Sequence, residues 1–194
     1  MEWQRDGFPA HEGTVGVVLA DGSESRAVYF DMGSGGHFPT STDWWIYDGT
    51  CGAPRAERML AACACGWRAQ VSYPIDWSQV RRREPYTYDT SPLAQDWKIH
   101  IEDVEARTVP LPAELADLLQ RLDQHLDRLA HDAPLAALKA VRALETIIAT
   151  TGPTAAFMTV SGAEIPWPRI AEGLGTTESE ARSRLRRYEY PRRP

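Results

Sequence analysis

Apolar residues change period midway along the chain. Before about residue 80 they alternate with polar ones: Trp67, Ala69, Val71 and Tyr73 are interleaved with Arg68, Gln70 and Ser72, the period of a half-buried strand. Residues 14–20 and 25–30 flank Asp21-Gly22, a hairpin signal, and residues 58–65 and 67–73 are separated by Gly66. Between these pairs a Gly-rich loop, residues 33–36, leads to Trp44-Trp-Ile-Tyr47. The pattern predicts a small antiparallel sheet with tryptophans in its core.

Residues 81–96 have little periodicity and contain two prolines, and read as a linker or long surface loop. A short strand or helix is expected over 97–104. From Pro112 the spacing becomes helical. One helix carries Leu115, Leu118, Leu119, Leu122, Leu126 and Leu129, and a second carries Leu135, Leu138, Val141, Leu144, Ile147 and Ile148. Asp132 and Pro134 mark the stop and restart, so the two are expected to form an antiparallel hairpin. Gly152-Pro153 is expected to break the second helix, with 154–160 resuming it. The leucine stripe either packs within the chain or pairs with a second copy, and the two are compatible.

Pro166-Trp167-Pro168 introduces the last element. Ile170, Ala171 and Leu174 give a short helix an apolar face, Gly175 supplies a left-handed stop, and Thr177 with Glu180 forms a capping box. Ala181 and Leu185 then face inward on a helix whose Arg182, Arg184, Arg186 and Arg187 are expected outside. Ile170-Ala-Glu, Leu174-Gly and Ala181-Arg-Ser-Arg-Leu resemble the helix-turn-helix of sigma-factor region 4 and of response-regulator domains. The likeness is confined to residues 170–188, and Ala181 stands where that family usually has a larger apolar residue. It implies a second helix that enters the major groove. Arg182 and Arg186 would read bases, and Arg184, Arg187, Arg192 and Arg193 would hold phosphates. Glu178 and Glu180 suit the helix dipole but would repel phosphate.

The charge balance of −6 changes this picture little, because it is uneven. Residues 181–194 hold six arginines against Glu189, a local charge of +5, and leave −11 on the remainder. Phosphate senses charge within about 10 Å, so a basic tail can bind DNA while an acidic body limits indiscriminate contact. Only Lys98 and Lys139 are lysines, a coding bias of GC-rich genomes. Tyr47-Asp48-Gly49 and Cys63-Ala-Cys65-Gly66-Trp67 resemble segments of actinobacterial proteins of unassigned activity. No run of 18 apolar residues occurs, the N-terminus lacks signal-peptide order, and three cysteines do not suit a secreted disulfide framework. A cytoplasmic protein is expected.

Cys63-Ala-Cys65-Gly66-Trp67 resembles one limb of a zinc ribbon, although a knuckle normally places two residues between its cysteines and a second pair is missing. Cys63 and Cys65 on one strand would share a face. Cys51 and His37 are the remaining ligands considered for zinc, against buried structural thiols as the alternative. Enzyme signals are weak. Residues 33–36 do not open a helix, so they are no phosphate loop. His37 could pair with Asp31 or Asp43, but no nucleophile elbow is present. His125 and His131, six apart, are expected at the surface.

These features predict an α+β chain without enzymatic activity: a Trp-rich antiparallel β-domain with linker (1–96), an amphipathic helical hairpin (97–160), and a helix-turn-helix with basic tail (161–194). The expected function is DNA-binding transcriptional regulation as a homodimer, away from membranes. The alternative is a non-enzymatic interaction or ligand-sensing module, with a small molecule or protein at the β-domain and dimerisation through the helices.

Overall fold

Strand β1 (Gly13–Leu19) buries every second residue: Gly13, Val15 and Val17 face the core. Its partner is β4 (Ala56–Cys63), in antiparallel register from Gly13↔Cys63 to Leu19↔Ala56. On the other side of β4 lies β5 (Arg68–Pro74), so β4 is central. Central position explains its composition: Met59, Leu60, Ala61, Ala62 and Cys63 are all buried, and small residues suit a strand covered on both faces. The computed structural model describes residues 2–24, 28–29, 40–50, 52–162 and 164–189. Five helices accompany the strands, which makes the fold α+β.

The Asp21-Gly22 turn forms as expected. Gly22 adopts φ +81°, its N–H donates to the Leu19 carbonyl, and Val18 bridges Glu24. Residues 25–27 and 30 lie outside the described residues, while β2 (Val28–Tyr29) pairs with β3 (Thr40–Ser41) as a separate ribbon. Alternation on β5 holds for half-buried Trp67, Ala69 and Tyr73, but Val71 is exposed, since an edge strand is covered incompletely.

The chain divides into two units, 1–106 and 107–194. In the first, α1 (Ser91–Arg107) begins within the segment expected to be linker. Its Asp89 carboxylate accepts the Ser91 amide, an Asx contact that starts the helix, and Pro92 suits the first turn. The stripe Leu93, Trp97, Ile101 joins Val15, Val17, Met59 and Ala61 in one core with Trp44 and Tyr47. Trp97 lies against Gly13 so closely that a Cβ there would meet its ring at 2.6 Å. The indole Nε1–H donates to the His11 carbonyl at 3.1 Å. Tyr73 Oη–H to Asp96, and Arg5 with Glu105, add ties to the same helix.

In the second unit, α2 (Ala113–Asp132) and α3 (Pro134–Phe157) form the expected hairpin, with Pro134 in the first turn of α3. Asp132 does not cap it: Ala133 occupies that position without a side-chain bond. Nor does Gly152-Pro153 break α3, which runs through both residues into a π-turn at Met158–Gly162. The reason is packing. Tyr188 lies over Gly152, where a Cβ would be 2.7 Å from the ring, and Ala156 is buried against the last two helices. Those contacts offset the one backbone bond a proline removes. Helices α4 (Trp167–Leu174) and α5 (Glu178–Glu189) complete the unit around Ile170, Ala171, Ala181 and Leu185.

Gly13→Ala is expected to destabilise the first unit by about 1–3 kcal/mol through overpacking, read by denaturant titration with Trp fluorescence. An unchanged midpoint would show that Trp97 can shift freely.

Candidate metal centre and helix-turn-helix face

Four potential ligands converge in the first unit. The Gly13↔Cys63 pair, with the Ala64 amide donating to the Glu12 carbonyl at 2.8 Å, brings the end of β4 beside the 3-10 turn Pro9–His11. After Cys63 the chain turns sharply: the Gly66 amide donates to the Cys63 carbonyl, and Gly66 takes φ +97°, which glycine alone adopts cheaply. Cys65 therefore sits in the turn, not on the strand, and both thiols still point to one place. His100 follows Trp97 by three residues on α1, so it shares the helix face that packs on the sheet. Trp67 stacks flat on its ring, centroids 4.3 Å apart at 6°.

The metal-binding atoms of His11, Cys63, Cys65 and His100 all lie within 4.8 Å of one another. Cys63 Sγ is 3.8 Å from His11 Nδ1, and Cys65 Sγ is 3.5 Å from His100 Nε2. A tetrahedral ion with metal–sulfur bonds of about 2.3 Å and metal–nitrogen bonds of about 2.0–2.1 Å needs sulfur–nitrogen edges of about 3.5–3.6 Å. Two edges are thus near their final lengths, and no pair would contract by more than about 1.5 Å. His11 is 6 % exposed and its Nε2 has no hydrogen-bond partner among the described residues. The ring nitrogen that faces Cys63 is Nδ1, so that atom is the one placed to bind an ion. These residues can hold a metal ion.

The two thiols titrate as a pair. Cys65 is held down to about 4, first by the hydrogen bond that Cys63 donates, then by the Trp67 amide and the His100 ring, with burial opposing. Cys63 is pushed up by the same bond and by its burial. Within the pair, Cys65 is the thiol that gives up its proton more readily, and the thiolate is the form that binds a metal.

Of the ligands expected from sequence, the structure brings Cys63 and Cys65 together. Cys51 and His37 lie outside the described residues, as does Asp31. The partners in place are His11 and His100, which sequence reasoning missed. His100 carried a usable signal, a histidine in register with Leu93, Trp97 and Ile101. His11 carried none, because its approach depends on the β1–β4 register. Asp43, weighed as a partner for His37, is hydrogen-bonded to Ser41. His125 and His131 are exposed, as expected.

The second unit ends in two short helices, α4 and α5, joined by a tight turn. α4 closes with a Schellman motif: Thr176 donates to Ala171, Gly175 donates to Glu172, and Gly175 has φ 61° and ψ 41°. The capping box is reciprocal, with the Glu180 amide on Thr177 Oγ1 at 3.2 Å and the Thr177 amide on the Glu180 carboxylate at 3.5 Å. Ala181 is fully buried and Leu185 nearly so.

The arginines are not equivalent. Arg182 is half-buried, bonded twice to Glu178 at 2.7 and 3.0 Å, with its guanidinium 4.3 Å from the Trp167 ring centroid. It braces α5 on α4 and is not one of the free outer arginines expected. Arg184 borders an apolar groove with Ile147, Ile148 and Tyr188. Arg186 and Arg187 are exposed and have no ion pair among the described residues. Arg192 and Arg193 lie outside them.

Comparison with protein-family models, with curated proteins and with solved structures finds no match.

Thr177→Ala is expected to destabilise the second unit by about 1 kcal/mol through loss of the cap. Thermal unfolding followed at 222 nm tests this, and the capping box would be unimportant if the midpoint did not move.

Proposed function

We propose that this protein is a DNA-binding regulator that presents α5 to the major groove and carries a structural zinc ion in its N-terminal unit. The observation that carries the DNA reading is the combination of a capped, Gly-turned helix pair with an outer α5 surface holding Arg186 and Arg187. On this reading Arg186 reaches base edges. Arg187, Arg184, Arg192 and Arg193 hold phosphates, and Arg182 fixes the angle of α5 through Trp167.

Zinc is the ion this donor set favours. Two thiolates and two imidazoles make a four-ligand tetrahedral set, which leaves no open position for a substrate and so marks a structural site. The ligands come from the N-terminal turn, the β4–β5 turn and α1, so the ion would cross-link three segments distant in sequence. The protein as purified is expected to contain one zinc per chain, measured by elemental analysis. Removal with a chelator is expected to lower the stability of the first unit by about 4 kcal/mol at a free zinc level of 1,000 Kd. Cys65→Ser or His100→Ala should reduce zinc occupancy. A protein that neither contains zinc nor takes it up would overturn the assignment.

The DNA reading is tested by selecting bound fragments from a genomic pool with the purified protein at two salt concentrations. Enrichment of a defined site is expected. Arg186→Ala is expected to weaken preferred over other sequences by about 1–3 kcal/mol. Arg187→Ala should weaken all sequences alike and lower the salt slope by about 1. Absence of any enriched site at either salt would sink the proposal and favour a protein-interaction module.

A further inference from the structure

Among the described residues of the second unit, the hairpin of α2 and α3 keeps apolar surface exposed. No residue of the twenty in α2 is buried. Leu115, Leu118 and Leu119 on α2, and Leu135, Leu138, Val141, Ile147 and Ile148 on α3, are between 42 and 81 % exposed. In α3 only Ala137 and Ala156 are buried. Twenty-four residues this apolar normally lie inside a bundle, because a helix apolar on more than one side needs more than one neighbour.

We infer that the occupant of this face is a second copy of the chain, packed as an antiparallel four-helix bundle with α2 of each copy against α3 of the other. Charge supports this pairing. Helix α2 carries Glu114, Asp117, Asp123, Asp127 and Asp132 against Arg121 and Arg128, whereas α3 carries Lys139 and Arg142 against Glu145. Among the described residues no ion pair joins these groups within one chain. A two-fold axis places the acidic helix of one copy beside the basic helix of the other, twice.

Size supports it too. A standard interface covers about 800 Å² per partner, about 65 % of it apolar in homodimers. Leu115, Leu118, Leu119, Leu135, Leu138 and Val141, each 42–81 % exposed, contribute apolar area toward such an interface. The inference goes beyond the DNA reading and stands without it, since it concerns assembly in the absence of DNA.

The test is the mass of the full chain by analytical ultracentrifugation without DNA. The expected result is a dimer of the 21.7 kDa chain. Leu118→Glu with Leu138→Glu should give a monomer of unchanged helical content, because both positions are already exposed. If that variant loses helicity, a second pair decides. Lys139→Glu with Arg142→Glu should weaken dimerisation by about tenfold or more, and Asp123→Lys with Asp127→Lys should restore it. A monomeric wild-type chain, or a dimer indifferent to both variant sets, would overturn the proposal.

Discussion

The seat of Trp97 on Gly13 is the contact on which the first unit depends. The absent side chain at Gly13 lets a helix lie directly on the first residue of β1, and the indole N–H then pins the carbonyl of His11. Because Gly13 pairs with Cys63, the same point fixes the end of β4. Because Trp97 and His100 are three apart on α1, it also fixes the fourth member of the cluster. Convergence of His11, Cys63, Cys65 and His100 is therefore a result of one helix-on-strand contact. A metal ion there would reinforce a geometry that packing already holds.

Legibility from sequence followed the range of the interactions. Local signals read correctly: the period of β5, the Pro134 restart, the Gly175 stop, the Thr177–Glu180 box and the inward pair Ala181 and Leu185 all depend on neighbours within about four residues. Pairing was legible only across a short turn, where β4 and β5 met as read. The loop at Asp21-Gly22 formed, yet β1 took β4, forty residues on, as its long partner. The metal set was legible only in part, for the same reason. Cys63 and Cys65 are adjacent in sequence, but His11 and His100 reach them only through strand register and helix docking. The persistence of α3 past Gly152-Pro153 is another long-range effect, since Tyr188, 36 residues later, occupies the space that glycine leaves.

Helix α3 shows how one segment can serve two surroundings. Its C-terminal part, around Gly152 and Ala156, uses small residues so that Tyr188 and the α4–α5 pair can approach. Its N-terminal part instead carries Leu135, Leu138 and Val141, which are exposed within the described residues of the second unit. Small residues occur where the backbone is approached closely, and large ones where a gap remains to be filled. This division makes the helix a continuous arm between the α4–α5 pair and the exposed end of the hairpin, since α3 runs from Pro134 to Phe157 despite the bond that Pro153 cannot make.

The acidic first turn of α5, Glu178 and Glu180, would repel phosphate if its carboxylates were free. Glu178 is neutralised by Arg182 at 2.7 Å, and the Glu180 carboxylate accepts from Thr176 Oγ1 at 2.6 Å as well as from Thr177. Both carboxylates are thus committed to holding the helix: one braces it through Arg182 and Trp167, the other closes its N-terminus. A carboxylate paired with a guanidinium projects little net field beyond the pair, whereas an exposed arginine without a partner projects its full charge over roughly 10 Å. The charge that α5 offers to solvent is then set by Arg186 and Arg187, one turn or more beyond the acidic end. On the proposed DNA reading, the glutamates are the reason α5 stands firmly enough to be read from, and the cost of their charge falls on Arg182, the arginine that contact with DNA can best do without.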